Sequence, residues 1–201
     1  MTASYPQRFG CYAEFDTTDH PEVMVRSGIS YVDMAGASNN LSNEIMEPFG
    51  WNFEAVRKHQ SDSWNNILNR VRIYSNDYRE KVRFYTNLYR AFCRNTFSDA
   101  DRRWVDAAGN IQKLDDPDAV ALGCDAFWNT FWNLNQVWNL IAPEWSSRWV
   151  KSQLAMYDAN GWLAKGPSGM KYIPVMVAEH EIPLLVSTYG ITMQKKCSGQ
   201  S

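Results

Sequence analysis

No run of basic residues, no long apolar stretch and no closely spaced pair of cysteines occurs in this sequence of 201 residues. Each absence excludes something. Lys and Arg total 20 against 22 Asp and Glu, a formal net charge of −2, so neither nucleic acid nor an anionic membrane is expected as a partner. No apolar stretch reaches the roughly 18–20 residues needed to span a bilayer. The opening stretch, MTASYPQRFGCYAEF, has neither a charged leader nor an apolar region, and no signal peptide is expected in it. Cys11, Cys93, Cys124 and Cys197 are scattered without a C-x-x-C pair. That spacing argues against a zinc site and for small buried hydrophobes rather than a disulfide framework. A Gly-rich phosphate loop, a G-x-S-x-G elbow and an H-E-x-x-H metal pair are all missing.

What the sequence does have is apolar and aromatic material, 45% and 14% of residues respectively, enough to bury a sizeable core in one domain, or in a small domain plus part of another. Two β-like segments come first. RFGCYAEFD alternates Phe9, Cys11, Ala13 and Phe15, and EVMVRSGISYVD carries Val23, Val25, Ile29 and Tyr31, with a turn at His20-Pro21 between them. Two strands alone are marginal, and no further sheet follows.

From Ala35 the pattern turns helical. ASNNLSNEIMEPF reads as a short helix ending before Pro48, and Trp64, Ile67, Leu68 and Val71 mark the buried face of the next. Asp77-x-x-Glu80 can cap a helix that buries Val82, Tyr85, Leu88, Tyr89 and Phe92. An Ala-Gly-Asn turn between RRWVD and IQKL predicts a small hairpin or extended loop. Pro143 suits a first helical turn, and Asn160-Gly161 suits its end, with Trp145, Trp149, Leu154 and Tyr157 as the apolar face. A last helix, VMVAEHEIPLLVSTY, is kinked or restarted at Pro183.

The richest stretch is CDAFWNTFWNLNQVWNLIAPEW. Projecting residues 127–141 as one helix, at about 100° per residue, separates two stripes. Phe127, Phe131, Leu134, Trp138 and Ile141 form a core stripe, while Trp128, Trp132, Asn135 and Asn139 mix indole rings with amides. Indole faces stack on the C–H faces of sugars, and amides fix hydroxyls. Such stripes are more often plain core, so both readings stand. In MVAEHEIP, Glu179, His180 and Glu181 lie at a helix start, where a carboxylate beside a histidine could do acid–base work or orient a hydroxyl. On spacing alone a solvated acidic helix terminus is the better explanation of them. Asp99, Asp101, Asp115, Asp116 and Asp118 lack the D-x-D-x-D-G calcium spacing and are expected in a solvated loop.

Taken in order, CYAEFD, SGISYVDMAGASNNLSNE, FYTNLYRAF, NTFSDADRRWVDAAGNI, FWNTFWNLNQVWNLIAPE, SQLAMYDANGWLAKGP and PVMVAEHEIPLLVSTY resemble glycoside hydrolase family 92 from about Phe9 to Tyr189. That family comprises mostly bacterial, exo-acting, inverting α-mannosidases. The resemblance implies an N-terminal β-sandwich followed by an (α/α)6 barrel, with an active site between them and a calcium ion that helps distort the mannose ring. On that basis the fold class is mainly α. Residues 1–34 would end the sandwich, 35–189 would form the first half of the barrel, and 190–201 would be an irregular tail.

The family's W-D-T-[FY]-R helix matches Trp128-Asn129-Thr130-Phe131-Trp132, with Asn129 in place of its sugar-contacting Asp and Trp132 in place of its Arg. Its M-[IV]-G-[DNY]-H stretch matches Met176-Val177-Ala178-Glu179-His180, which retains His180. Trp128, Asn129, Trp132, Glu179 and His180 are therefore the expected substrate-binding residues, and a mannose-containing glycan the expected partner. The motifs E-G-N-x-W-Q and N-D-D-x-G-Q-x-S, which carry the family's general acid, catalytic-water aspartates and most calcium ligands, do not occur. No catalytic residue or metal ligand is assigned to this chain, which reads as an incomplete, inactive part of the enzyme. The resemblance also implies a secreted, periplasmic or cell-surface location. The alternatives are a non-catalytic carbohydrate-binding α/α protein and an all-α interaction module.

Overall fold

A computed structural model of the protein describes residues 12–19, 21–123, 127–168, 171–172 and 179–197, without the side chains of Asn129, Ser168, Lys171, Tyr172 and residues 192–197. Those residues are mainly helical. The two segments expected as strands form no strand within 12–19 and 21–33 and join no sheet. Tyr12, Phe15, Val25 and Ile29 are exposed, so the alternation found no second strand to bury it. Cys11 and Phe9 lie outside the described residues.

Helix α1 (Met34–Leu41) is capped by Asp33, which accepts the Gly36 amide at 2.6 Å. It passes through a π-helical stretch (Ser42–Met46) into α2 (Glu47–Phe49). The helix therefore does not stop before Pro48. The proline sits in the first turn of α2, where its missing N–H and fixed φ are tolerated. Helix α3 (Phe53–Leu68) is capped by Asn52 and α4 (Tyr78–Phe92) by Asp77. Glu80 does not close the expected capping box but accepts from the Ser75 hydroxyl at 2.7 Å. Trp64, Ile67, Leu68 and Val71 pack half-buried on the core as their spacing predicts. On α4 only Leu88 and Phe92 are buried, while Val82 and Tyr89 are exposed.

Between α4 and the aromatic stretch lie two antiparallel pairs. Strand β1 (Asn95–Thr96) pairs with β4 (Leu122–Gly123), and β2 (Arg103–Val105) with β3 (Ile111–Lys113). The second pair is the hairpin expected at Ala-Gly-Asn. Its turn is held by the buried Asp106, which accepts the Ala108 and Asn110 amides and the Gln112 side chain. A third pair joins β5 (Pro167–Ser168) to β6 (Lys171–Tyr172). The solvated-loop reading of the aspartates fails at Asp99, which is buried and accepts from Ser30 Oγ at 2.7 Å and Asn40 Nδ2 at 2.9 Å. That carboxylate ties the segment before α1, and α1 itself, to the loop before β2.

Four further helices follow: α5 (Trp128–Trp132), α6 (Leu134–Ile141), α7 (Pro143–Asn160) and α8 (Glu181–Cys197). Pro143 opens α7, and Gly161, left-handed at φ 74°, ends it, as the sequence predicts. Its buried face is Ser146, Trp149, Ser152, Gln153 and Met156, whereas Leu154 and Tyr157 are exposed. Small and amide side chains there let neighbouring helices approach. Of the two expectations at Pro183 the restart holds: residues 179 and 180 are not helical, and α8 begins at Glu181 with Pro183 in its first turn. The helix continues to Cys197, so residues 190–197 are helical rather than irregular. No proline follows Pro183 to stop it. Cys93 is exposed and unpaired, so the expectation of a buried hydrophobe fails there. It stands at the end of α4, past the buried Phe92.

The main core gathers Phe127, Trp138, Trp149 and Leu184 with Leu88 and Phe92 of α4. Trp138 and Trp149 are fully buried and stack at 5.9 Å with an 11° angle between rings. The Trp138 indole donates to the Ala91 carbonyl at 3.0 Å, which satisfies its polar edge inside the core. Phe131 meets His180 while Asn139 bonds Ser187 and Thr188. Helix α8 therefore runs beside α5 and α6 in the same direction, and its head lies against α5.

Candidate functional site

The aromatic stretch is not one helix. Asn133, at φ −157° and ψ −19°, breaks it into α5 and α6, and the projection across residues 127–141 loses its phase there. Phe127, just before α5, and Thr130 within it are buried. The Thr130 hydroxyl and amide both return to the Phe127 carbonyl. Trp128, Phe131 and Trp132, spaced i, i+3 and i+4, share the opposite, exposed face. Phe131, expected in the core stripe, thus joins the two tryptophans. Beyond the break, Asn135 and Asn139 turn inward and are buried, so the mixed stripe of indoles and amides is not one surface.

Trp128 and Trp132 are 48% and 65% exposed, and their rings meet edge to face at 5.5 Å. Beside them the His180 ring lies 5.0 Å from Phe131. Four rings from two elements therefore form one patch at the junction of α5 and the head of α8. Among the expected site residues, Trp128, Trp132 and His180 come together through Phe131. Asn129 lies in α5, but its side chain is outside the described residues.

Charge enters this patch from the residues flanking His180. Lys165 is tied to α5 through its carbonyl, which accepts the Phe127 amide at 3.0 Å. Its ammonium pairs with Glu179 at 2.7 Å. That bond holds the Glu179 carboxyl below the usual carboxylate range and pushes the Lys165 ammonium up. Glu181 differs. It is only 1% exposed, and neither carboxyl oxygen has a donor, which overturns the expectation of a solvated terminus. Burial pushes its carboxyl up to about 7, and the facing Glu179 carboxyl adds to the shift.

The described residues do not build a site for the calcium ion that the resemblance implies. No three of their His, Cys, Asp and Glu side chains converge in a group that could hold a metal ion. The acidic loop disperses its carboxylates instead: Asp99 goes to Ser30 and Asn40, Asp101 to Arg103, Asp116 to Lys151. Among the described residues no helix is long and apolar enough to cross a membrane.

Comparison with known families identifies the domain: the glycosyl hydrolase family 92 catalytic domain matches residues 36–197. The chain belongs to glycosyl hydrolase family 92. Solved structures place it further. It is 25% identical to a family GH92 alpha-mannosidase from Bacteroides thetaiotaomicron, with a TM-score of 0.68 over 77% of this chain and 20% of that one. The same enzyme in complex with mannoimidazole gives 24% identity, a TM-score of 0.71 and coverage of 81% and 21%. A family GH92 inverting mannosidase from the same organism gives 23%, 0.69, and 81% and 22%. The chain thus spans about a fifth of the length of these structures. No curated protein is significantly similar to it.

Proposed function

We propose that this chain forms part of the sugar-binding wall of an inverting exo-α-mannosidase-type catalytic domain and that, acting alone, it binds a terminal mannose without hydrolysing it. The observation that carries the reading is the exposed face of Trp128, Phe131 and Trp132 with His180 against it, in a chain of this family. One structural relative is named an inverting mannosidase and another holds mannoimidazole. The helices would be the first half of an (α/α)6 barrel and residues 1–34 the end of a β-sandwich. In that arrangement the rings stack on the apolar C–H face of the pyranose. His180 and Asn129 offer hydrogen bonds to its hydroxyls, and a neutral Asn129 supplies no charge. The calcium ion and the acid–base pair would come from residues other than those described.

The test is a calorimetric titration of the chain with methyl α-mannoside, repeated on Trp132→Ala. The expected result is binding by the native chain and its loss in the variant with an unchanged melting temperature, because an exposed side chain contributes little to stability, about 0.5 kcal/mol or less. Failure of the native chain to bind would overturn the site. Hydrolysis of an aryl α-mannoside, abolished by a chelator, would overturn the assignment of no activity to the isolated chain.

A further inference from the structure

A cavity of about 430 Å³ opens between the segment that precedes α1 and the turn from α2 into α3. None of its described lining residues belongs to α5 or α8. Its size falls within the range of small-molecule pockets, roughly 300–1,000 Å³. The segment contributes Met24 and Val25, the π-helical stretch Ile45, and α3 Val56. The wall is therefore largely apolar, and it is open: Met24 and Val25 are exposed, and a Cβ at Gly50 would meet nothing within 4 Å. Among the described lining residues, Arg26 is the one that carries charge. Its guanidinium lies 3.4 Å from the centre of the Trp51 ring, and its Nη1 donates to the Gly50 carbonyl at 2.9 Å. Gly50, at φ 55°, holds that carbonyl in a conformation glycine adopts readily.

A guanidinium has five N–H donors, and the Gly50 carbonyl takes one of them. No carboxylate pairs with Arg26 among the described residues. Glu47 and Glu54, which flank the turn, are engaged by Ser42 and Arg57 instead. Ring stacking and the carbonyl bond hold the fork in place, so little freedom is lost when its other donors are used. A single fixed fork matches the two oxygens of a carboxylate, and one positive charge matches its one negative charge. The apolar wall beside it suits a ligand whose body is apolar. We propose that this cavity binds a small amphipathic carboxylate, its body against Met24, Ile45 and Val56 and its oxygens on the remaining N–H groups of Arg26. The ligand is held without any covalent step, and the site is independent of the sugar-binding face.

The experiment is a calorimetric titration of the full chain with trans-cinnamate, repeated with trans-cinnamamide, a neutral compound of the same shape. The acid should bind about tenfold more tightly than the amide, the ordinary contribution of a hydrogen-bonded charged group. Raising the salt concentration should weaken binding of the acid and not of the amide, a readout that needs no variant. Arg26→Gln should abolish the preference for the acid and leave the amide's affinity where it was. Val56→Trp, which fills the cavity, should remove binding of both compounds. Neither variant should change far-UV circular dichroism, because Arg26 and Val56 lie outside the buried core. Equal affinities for acid and amide, or no binding of the acid at millimolar concentration, would overturn the proposal. So would binding of the acid that survives in Val56→Trp, since it would then reside on other apolar surface.

Discussion

At the scale of single residues, chemistry was more legible than geometry. Trp128 and Trp132 could be picked out as indoles that suit a sugar, and His180 as a histidine beside carboxylates and in the family's motif; the structure sets the two indoles edge to face and His180 against Phe131. Burial was not legible. Glu181 stands in EHEIP, a string that suits a solvated helix start, and only the packing of α8 on α5, α6 and α7 takes its carboxyl out of water. This has a consequence for stability. The folded chain keeps the Glu181 proton up to about 7, whereas an ordinary glutamate loses it near 4.5. Between those values the folded state binds more protons than the unfolded one, so stability falls as pH rises. The contribution is fully present below pH 4.5 and lost above about 7, a change on the order of 3 kcal/mol. Asp33 and Asp116, held low by Arg103 and Lys151, act in the opposite sense and at more acid pH. Thermal melts across the interval should show a falling melting temperature for the wild type and a flat profile for Glu181→Gln. Equal slopes in the two proteins would refute the burial of a proton there.

At the scale of elements, local signals did well where caps and glycines speak and poorly where phase must be carried across a break. Asp77, Pro143 and Gly161 each stand where a helix starts or stops. Asn133 broke the single helix assumed for 127–141, and that moved Phe131 from core to surface and Asn135 from surface to core. Nothing in the one-dimensional pattern fixes such a break, since asparagine is tolerated within helices as well as at their ends.

The packing of α1 was likewise hidden, because it depends on Asp99, far along the chain. A Cβ at Gly36 would lie 2.2 Å from Asp99 Oδ2 and 2.7 Å from Ser30 Oγ. Replacing a helical glycine by alanine ordinarily gains up to about 1 kcal/mol. Here the clash should prevail. Asp99 is buried and held by both Ser30 and Asn40, so it has no free rotation with which to escape. Gly36→Ala should therefore lower stability by about 1–3 kcal/mol net, measured by urea unfolding. A stabilised variant would mean that the Ser30–Asp99–Asn40 cluster yields without cost.

At the scale of the whole molecule, the apolar surface is arranged in helical stripes rather than scattered. Ile182, Val186 and Tyr189 line one side of α8 at i, i+4 and i+7, and Leu154 with Tyr157 does the same on α7. Leu140, 82% exposed, and Trp162 are further large apolar side chains left open to solvent. Scattered apolar residues need no partner, but stripes of this kind mark faces built for packing. The chain spans about a fifth of the relatives it resembles, and faces of this sort suit helices of a larger domain. In isolation the chain should cover them by self-association. Sedimentation velocity should show a mass that grows with concentration, and a hydrophobic dye should bind the native chain. Val186→Lys combined with Leu140→Lys should reduce both effects while leaving far-UV circular dichroism unchanged, because neither side chain is part of the buried core. A strictly monomeric chain that melts cooperatively and ignores the dye would show that these stripes need no cover. That result would remove the physical support for reading the chain as part of a larger barrel.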